Sequence, residues 1–150
     1  CDRFDEVGRL LAELTPSELA SEDDLRTLRE AHARLRAEPV PDGPPLHGDA
    51  HFRNVLWSPD GPLWSDLENA CRGPVEYDLA ALVWRDAPGT REALDAYGPY
   101  NAGLVERLVP FVSVFLAAWT IRVVERDPAP GHVAELRRRL DWVRAWLATG

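Results

Sequence analysis

A mainly α-helical fold carrying one small β-hairpin is predicted, on three observations. Apolar residues recur at three- and four-residue steps through most of the chain, the spacing of helices that bury one face. Between residues 55 and 65 that spacing gives way to a strand–turn–strand pattern. Pro and Gly clusters mark the boundaries between stretches. At 150 residues the chain reads as a single domain, 1–150, long enough for a real core.

The first helix covers 2–14, with Phe4, Val7, Leu10, Leu11 and Leu14 on one face, and Thr15-Pro16-Ser17 breaks it. Ser21 followed by Asp24 gives a capping-box-like start to a second helix ending near Ala37. Its inward face is Leu25, Leu28, His32 and Leu35. His32 on that stripe reads as a satisfied core or boundary histidine rather than a ligand. Prolines at 39, 41, 44 and 45 make 38–45 an extended connector.

The connector delivers the chain to Leu46–Ala70. Val55-Leu56-Trp57 reads as a strand, Ser58-Pro59-Asp60-Gly61 as a turn, and Leu63-Trp64-Ser65 as the return strand. A turn centred on Asp60, or on the Asp60–Gly61 bond, brings Asp66 opposite or beside Asn54. Asp49 stands five residues before Asn54 on the preceding loop. Three oxygen-bearing side chains therefore converge. A hard cation such as Mg²⁺ takes one or two protein oxygens plus phosphates and water, which suits Asn54 and Asp66. Asp49, outside that pair, is placed to accept a proton from a hydroxyl. Phosphoryl transfer needs that combination.

At these residues the chain resembles a known family. His47-Gly48-Asp49 with Asn54 is similar to the H-x-D-x-x-x-x-N catalytic loop of kinases. The central Gly, and His51 two residues after the Asp, resemble the aminoglycoside phosphotransferase and choline kinase family. Ser65-Asp66-Leu67-Glu68 resembles that family's metal-binding segment, with Leu67 where Phe is usual. Gly73–Ala80 resembles the family's next segment along the chain. The resemblance implies the C-terminal lobe of a kinase-like α+β fold. It implies Asp49 as the catalytic residue, Asn54 and Asp66 as Mg²⁺ ligands, and ATP as co-substrate. It also implies that His47 is a buried ring supporting the loop and that Asp78 braces the loop backbone. His51 is placed to orient the Asp49 loop or to approach phosphate. Arg53 meets a phosphate or pairs with a surface acid. Glu68 touches metal or a cationic substrate, or is simply solvated.

Beyond the hairpin, Cys71-Arg72-Gly73-Pro74 reads as a turn, then Glu76–Trp84 as a helix with Val75, Leu79, Leu82 and Val83 inward. Asp86–Thr90 is a loop, and Arg91–Tyr97 a short helix stopped by Gly98-Pro99. Val105, Leu108, Val109, Val112, Leu116, Trp119 and Val123 keep helical spacing in a long segment that Pro110 should kink or split. Asp127–Gly131 ends it. A last helix carries Val133, Leu136, Leu140, Val143 and Leu147, with Trp142 and Trp146 packing on an adjoining face.

Composition narrows the function classes. A net charge of −8 argues against a nucleic-acid partner and suits a small cationic substrate or simply keeps the protein soluble, and the family resemblance implies that the substrate is hydroxylated. The apolar run Leu108–Ile121 is short of the roughly 20 residues of a membrane span. Cys1 and Cys71 form no metal spacing and read as free thiols in a reducing cytoplasm. All 17 basic residues are arginine, and no lysine or Gly-rich loop precedes Asp49. The lysine-bearing N-terminal nucleotide lobe is therefore expected to lie outside this chain, which alone would be inactive or very weak. Two other readings compete. One is a non-catalytic binding or scaffold module lacking the nucleotide lobe. The other is a metal-dependent hydrolase built on the alternation of His47, Asp49 and His51.

Overall fold

The computed structural model describes residues 2–149; Cys1, read from sequence as a free thiol, lies outside them. Six α-helices and two two-stranded sheets make up the described chain, which is mainly α with a small β-hairpin. It divides into two compact units: one is built on Val40–Val109, the other joins Arg3–Pro39 to the chain from Pro110 onward.

The second unit is helical. Helix α1 (Asp2–Glu13) and helix α2 (Glu22–Arg36) match the predicted stretches. Ser21 and Asp24 close the capping box reciprocally: Asp24 N–H donates to Ser21 Oγ at 3.2 Å and Ser21 N–H to Asp24 Oδ2 at 2.8 Å. His32 is buried and its Nε2 bonds the Phe4 carbonyl at 2.8 Å, while Phe4 stacks on Phe111 at 3.8 Å. Helix α6 (Pro130–Ala148) starts at Pro130, so Pro130-Gly131 opens the last helix rather than closing the one before it. Leu136, Leu140 and Val143 are its fully buried residues, and Arg34 lies over the Trp146 ring at 4.8 Å. Arg137 and Arg144, one heptad apart on α6, both reach the buried Asp24 carboxylate.

Helix α5 (Ala102–Arg126) runs unbroken through Pro110, so of the kink or split expected there the split does not occur. A proline in a helix forfeits one hydrogen bond, and here the loss is outweighed by burial of the apolar residues on both sides of it. The division between units nevertheless falls at Val109–Pro110. By length and composition alone α5 could cross a bilayer, but 72% of its most apolar window is buried, as in a core helix. Among the described residues of this helix, Trp119 is the one large apolar side chain that is exposed, at 44%.

The first unit holds the β structure. Strand β1 (Pro45–Leu46) pairs antiparallel with strand β4 (Cys71–Arg72), so Cys71-Arg72 is a strand where a turn was expected. A two-residue strand has no periodicity to read, and its partner is far away in sequence. Gly43 makes the approach feasible: a Cβ there would lie 1.9 Å from the Gly73 carbonyl oxygen. Strand β2 (Val55–Ser58) and strand β3 (Gly61–Trp64) form the hairpin, with Ser58 paired to Gly61 across Pro59-Asp60. The turn thus centres on the Pro59–Asp60 bond, half a residue to one residue earlier than expected. Gly61 at φ +119° supplies the left-handed residue that turn requires. Helix α3 (Glu76–Arg85) buries Tyr77, Leu79, Ala80, Ala81 and Trp84. Val75, Leu82 and Val83, expected inward, are only half buried. The inward face is therefore rotated toward Tyr77 and Trp84, whose large rings command it. Helix α4 (Thr90–Tyr97) follows Gly89, at φ +89°.

Candidate active site

The loop from His47 to Asn54 is held from both sides. Asp78, in the first turn of α3, accepts the His47 N–H on Oδ2 and the Gly48 N–H on Oδ1, each at 2.9 Å. Two backbone donors at a sharp bend, with Gly48 at φ +80°, thereby gain ionised acceptors. The buried His47 ring spans the loop and the hairpin exit: its Nε2 meets the Ser65 carbonyl at 2.9 Å and its Nδ1 accepts the Asp49 N–H at 3.3 Å. Those partners put the ring proton on Nε2. Trp64 packs edge-on against this ring at 4.9 Å.

Asn54 is buried at the end of a 3-10 turn (Phe52–Asn54). Its Nδ2 donates to the Asp49 carbonyl at 3.0 Å, which leaves Oδ1 as the amide's open oxygen. Ser65, not Asp66, stands opposite Asn54: its N–H donates to the Asn54 carbonyl at 2.8 Å. Asp66 follows one residue later in the left-handed region at φ 60°, ψ 58°. Its exposed carboxylate has no hydrogen-bond or ion-pair partner among the described residues. A non-glycine residue there costs on the order of 1–2 kcal/mol, and strain of this kind concentrates at functional sites. Glu68, in the following turn, is exposed, as is Arg53, and neither side chain has a partner among the described residues.

Asp49 is about one-fifth exposed and faces the Arg85 and His51 side chains. Arg85, in the last turn of α3, donates Nη2 to Oδ1. His51 Nε2 lies 3.5 Å from Oδ2, while His51 Nδ1 accepts the Arg53 N–H at 3.2 Å. Burial, then the Arg85 charge, lowers the His51 pKa against the pull of Asp49, so the ring is neutral at pH 7. Sequence reasoning missed Arg85 because it ended the helix one residue early. The available signal was its place seven residues after Asp78, on the same helix face.

Among the described residues no group of three His, Cys, Asp or Glu side chains could hold a metal. Both His47 nitrogens are already hydrogen-bonded, which argues against the metal-dependent hydrolase read from His47, Asp49 and His51. Next to the loop lies an open cavity of about 480 Å³ between α3 and α4. Asp86, Glu92 and Asp95 line it against one guanidinium, Arg91, with Val83 and Leu94 as apolar wall. The Phe52 ring comes within 3.7 Å of where a Gly89 side chain would begin, so the cavity and the loop share a border.

The sequence model of a phosphotransferase enzyme family matches residues 2–111. The chain belongs to this family. Its relatives include stress response kinase A of Escherichia coli strain K12, 36% identical over 109 residues, or 66% of this chain and 33% of the relative. Stress response kinase A of Salmonella choleraesuis and the serine/threonine protein kinase RdoA of Salmonella typhimurium are each 37% identical over 87 residues. Those two matches cover 51% of this chain and 26% of each relative. The chain thus spans a quarter to a third of the length of the curated relatives it matches. No solved structure matches it. The H-x-D-x-x-x-x-N loop lies within the matched residues.

Proposed function

We propose that this chain carries the catalytic loop of a phosphotransferase of the aminoglycoside phosphotransferase type, which moves the γ-phosphoryl group of ATP to a hydroxyl group. One observation carries the reading: the Asp49 carboxylate is reachable at the loop while the backbone on both sides of it is pinned by Asp78 and Asn54. The acceptor O–H proton passes to Asp49. The acceptor oxygen forms its bond to phosphorus as the bond to ADP breaks and ADP leaves with the electron pair. Asn54 Oδ1 and the partnerless Asp66 carboxylate are hard oxygens of the kind Mg²⁺ takes, and two protein ligands plus phosphate suffice for it. When bound, the ion neutralises charge on the transferring phosphates. His47 and Asp78 support the loop; Arg53 and Glu68 flank it as phosphate or substrate contacts.

The acidic cavity beside the loop favours a cationic small molecule bearing the hydroxyl. The name of the relative RdoA points instead to a protein Ser or Thr hydroxyl. The lysine that touches the phosphates is assigned to a nucleotide lobe outside residues 2–149, with the whole working in the cytoplasm. The exposed hairpin residues Leu56, Trp57, Leu63 and Trp64 favour the binding-module alternative, in which the chain docks a partner without turnover.

The test uses the full-length protein with Mg-ATP, a panel of hydroxylated amines and a Ser/Thr protein substrate. Phosphate transfer to an amine supports the small-molecule reading, and transfer to protein alone replaces it. Asp49→Asn should abolish either while leaving nucleotide binding intact. Normal turnover in that variant, or none in the wild type, rejects the enzyme.

A further inference from the structure

We infer that Arg85 is a positioning residue for Asp49: its guanidinium holds Oδ1, so that Oδ2 alone faces the incoming hydroxyl. The inference rests on the phosphotransferase reading above. Arg85 Nη2 donates to Asp49 Oδ1, and no other arginine pairs with that carboxylate among the described residues. Seven residues on a helix amount to about 700°, only about 20° short of two full turns. Asp78 and Arg85 therefore share one face of α3. From that face Asp78 fixes the loop backbone and Arg85 fixes the carboxylate, so one rigid element sets both.

The side chain is committed to this place. Only a quarter of it is exposed, and Arg85 Nε is buried with no hydrogen-bond partner. An arginine near a surface ordinarily swings such an atom into water, and leaving it dry costs about 1–3 kcal/mol. The Asp49 ion pair, at least three-quarters shielded from solvent, offsets that cost. His51, which faces Oδ2, lies beyond hydrogen-bond length at 3.5 Å and does not close that oxygen off. One oxygen is thus occupied by a donor that cannot give up its proton, and the other is left to accept one.

The test measures phosphoryl transfer from Mg-ATP to water, and to any acceptor the panel yields, in the full-length protein. The variants are Arg85→Met, Arg85→Lys, Asp49→Asn and the double variant Asp49→Asn/Arg85→Met. Arg85→Met should lower kcat about 10- to 100-fold, the scale of a misaligned reacting group, with KM for Mg-ATP changed less than about twofold. Arg85→Lys should recover most of the loss. In the Asp49→Asn background Arg85→Met should cost nothing further, because both act through one carboxylate. An unchanged kcat in Arg85→Met overturns the inference, as does an equal further loss in the Asp49→Asn background. Wild-type turnover in Asp49→Asn, or no turnover in the wild type, rejects the underlying reading and the inference with it. A dead Asp49→Asn beside a normal Arg85→Met rejects the role of Arg85 alone.

Discussion

Asn54 holds the Asp49 carbonyl through its side-chain amide at 3.0 Å, so the residue proposed to ligate metal also anchors the residue proposed to take the proton. Its two ends do different work: Nδ2 secures the loop and Oδ1 stays open. Asn54→Ala should lose both, leaving a backbone carbonyl unpartnered at a cost of about 1–2 kcal/mol. Asn54→Leu should cost stability similarly. Transfer should fall at least about 100-fold in each, because a charge-stabilising group is gone. Denaturant midpoints beside turnover numbers check this, and a stable, fully active Asn54→Ala would refute it.

The Asp78 carboxylate accepts two loop N–H groups at once. Asp78→Ala should therefore cost about 2–4 kcal/mol, more than loss of a single neutral hydrogen bond. Asp78→Asn keeps one acceptor and should fall between. Urea unfolding of the three proteins gives the order directly.

His51 is a pH reporter for this loop. Burial and the Arg85 charge lower its pKa in the fold below the ordinary 6.5. A base with a depressed folded pKa binds fewer protons folded than unfolded. Its contribution to stability is complete above pH 6.5 and is lost as pH falls through the folded value. Proton NMR titration of the ring should show a midpoint below 6.5, rising in Arg85→Met. A midpoint unmoved by that substitution would place Arg85 away from the loop.

Asp24 is the corresponding acid in the helical unit. Burial pushes its carboxyl up, but the Ser21 hydrogen bonds and then Arg144 outweigh it, and the pKa ends below the usual 3.8. Stability from this group is present above pH 3.8 and is lost as pH falls through the lower folded value. Asp24→Ala removes the capping box and strands Arg137 and Arg144, both partly solvated, so a loss of about 2 kcal/mol is expected at pH 7. Acid melting curves of wild type and variant should converge as pH falls through the lower folded value.

The helices were legible because each obeys a local rule. The Ser21–Asp24 box and the three- and four-residue apolar steps act within a few residues, so the bounds of α1 and α2 could be read closely. The hairpin was legible for the same reason, apart from half a residue to one residue in its turn centre. What stayed hidden involves distant partners. The β1–β4 pair joins Leu46 to Cys71, and neither dipeptide carries a pattern of its own. The inward face of α3 turned out to follow its large rings rather than its aliphatic residues. Pro110 was expected to kink or split α5, and burial on either side kept the helix unsplit.

The amino-acid sequence by itself determined the family, the mainly α fold, and the chemistry on offer: an Asp, an Asn and a second Asp in fixed order around a short ribbon. Those are local facts, written in spacing and side-chain type. The tertiary structure alone decided that Asp78 grips two N–H groups 30 and 31 residues before it, and that Arg85 reaches back 36 residues to Asp49. Such contacts depend on how α3 is rotated against the loop, and that rotation is set by which side chains the core can bury. No single stretch of chain contains that information.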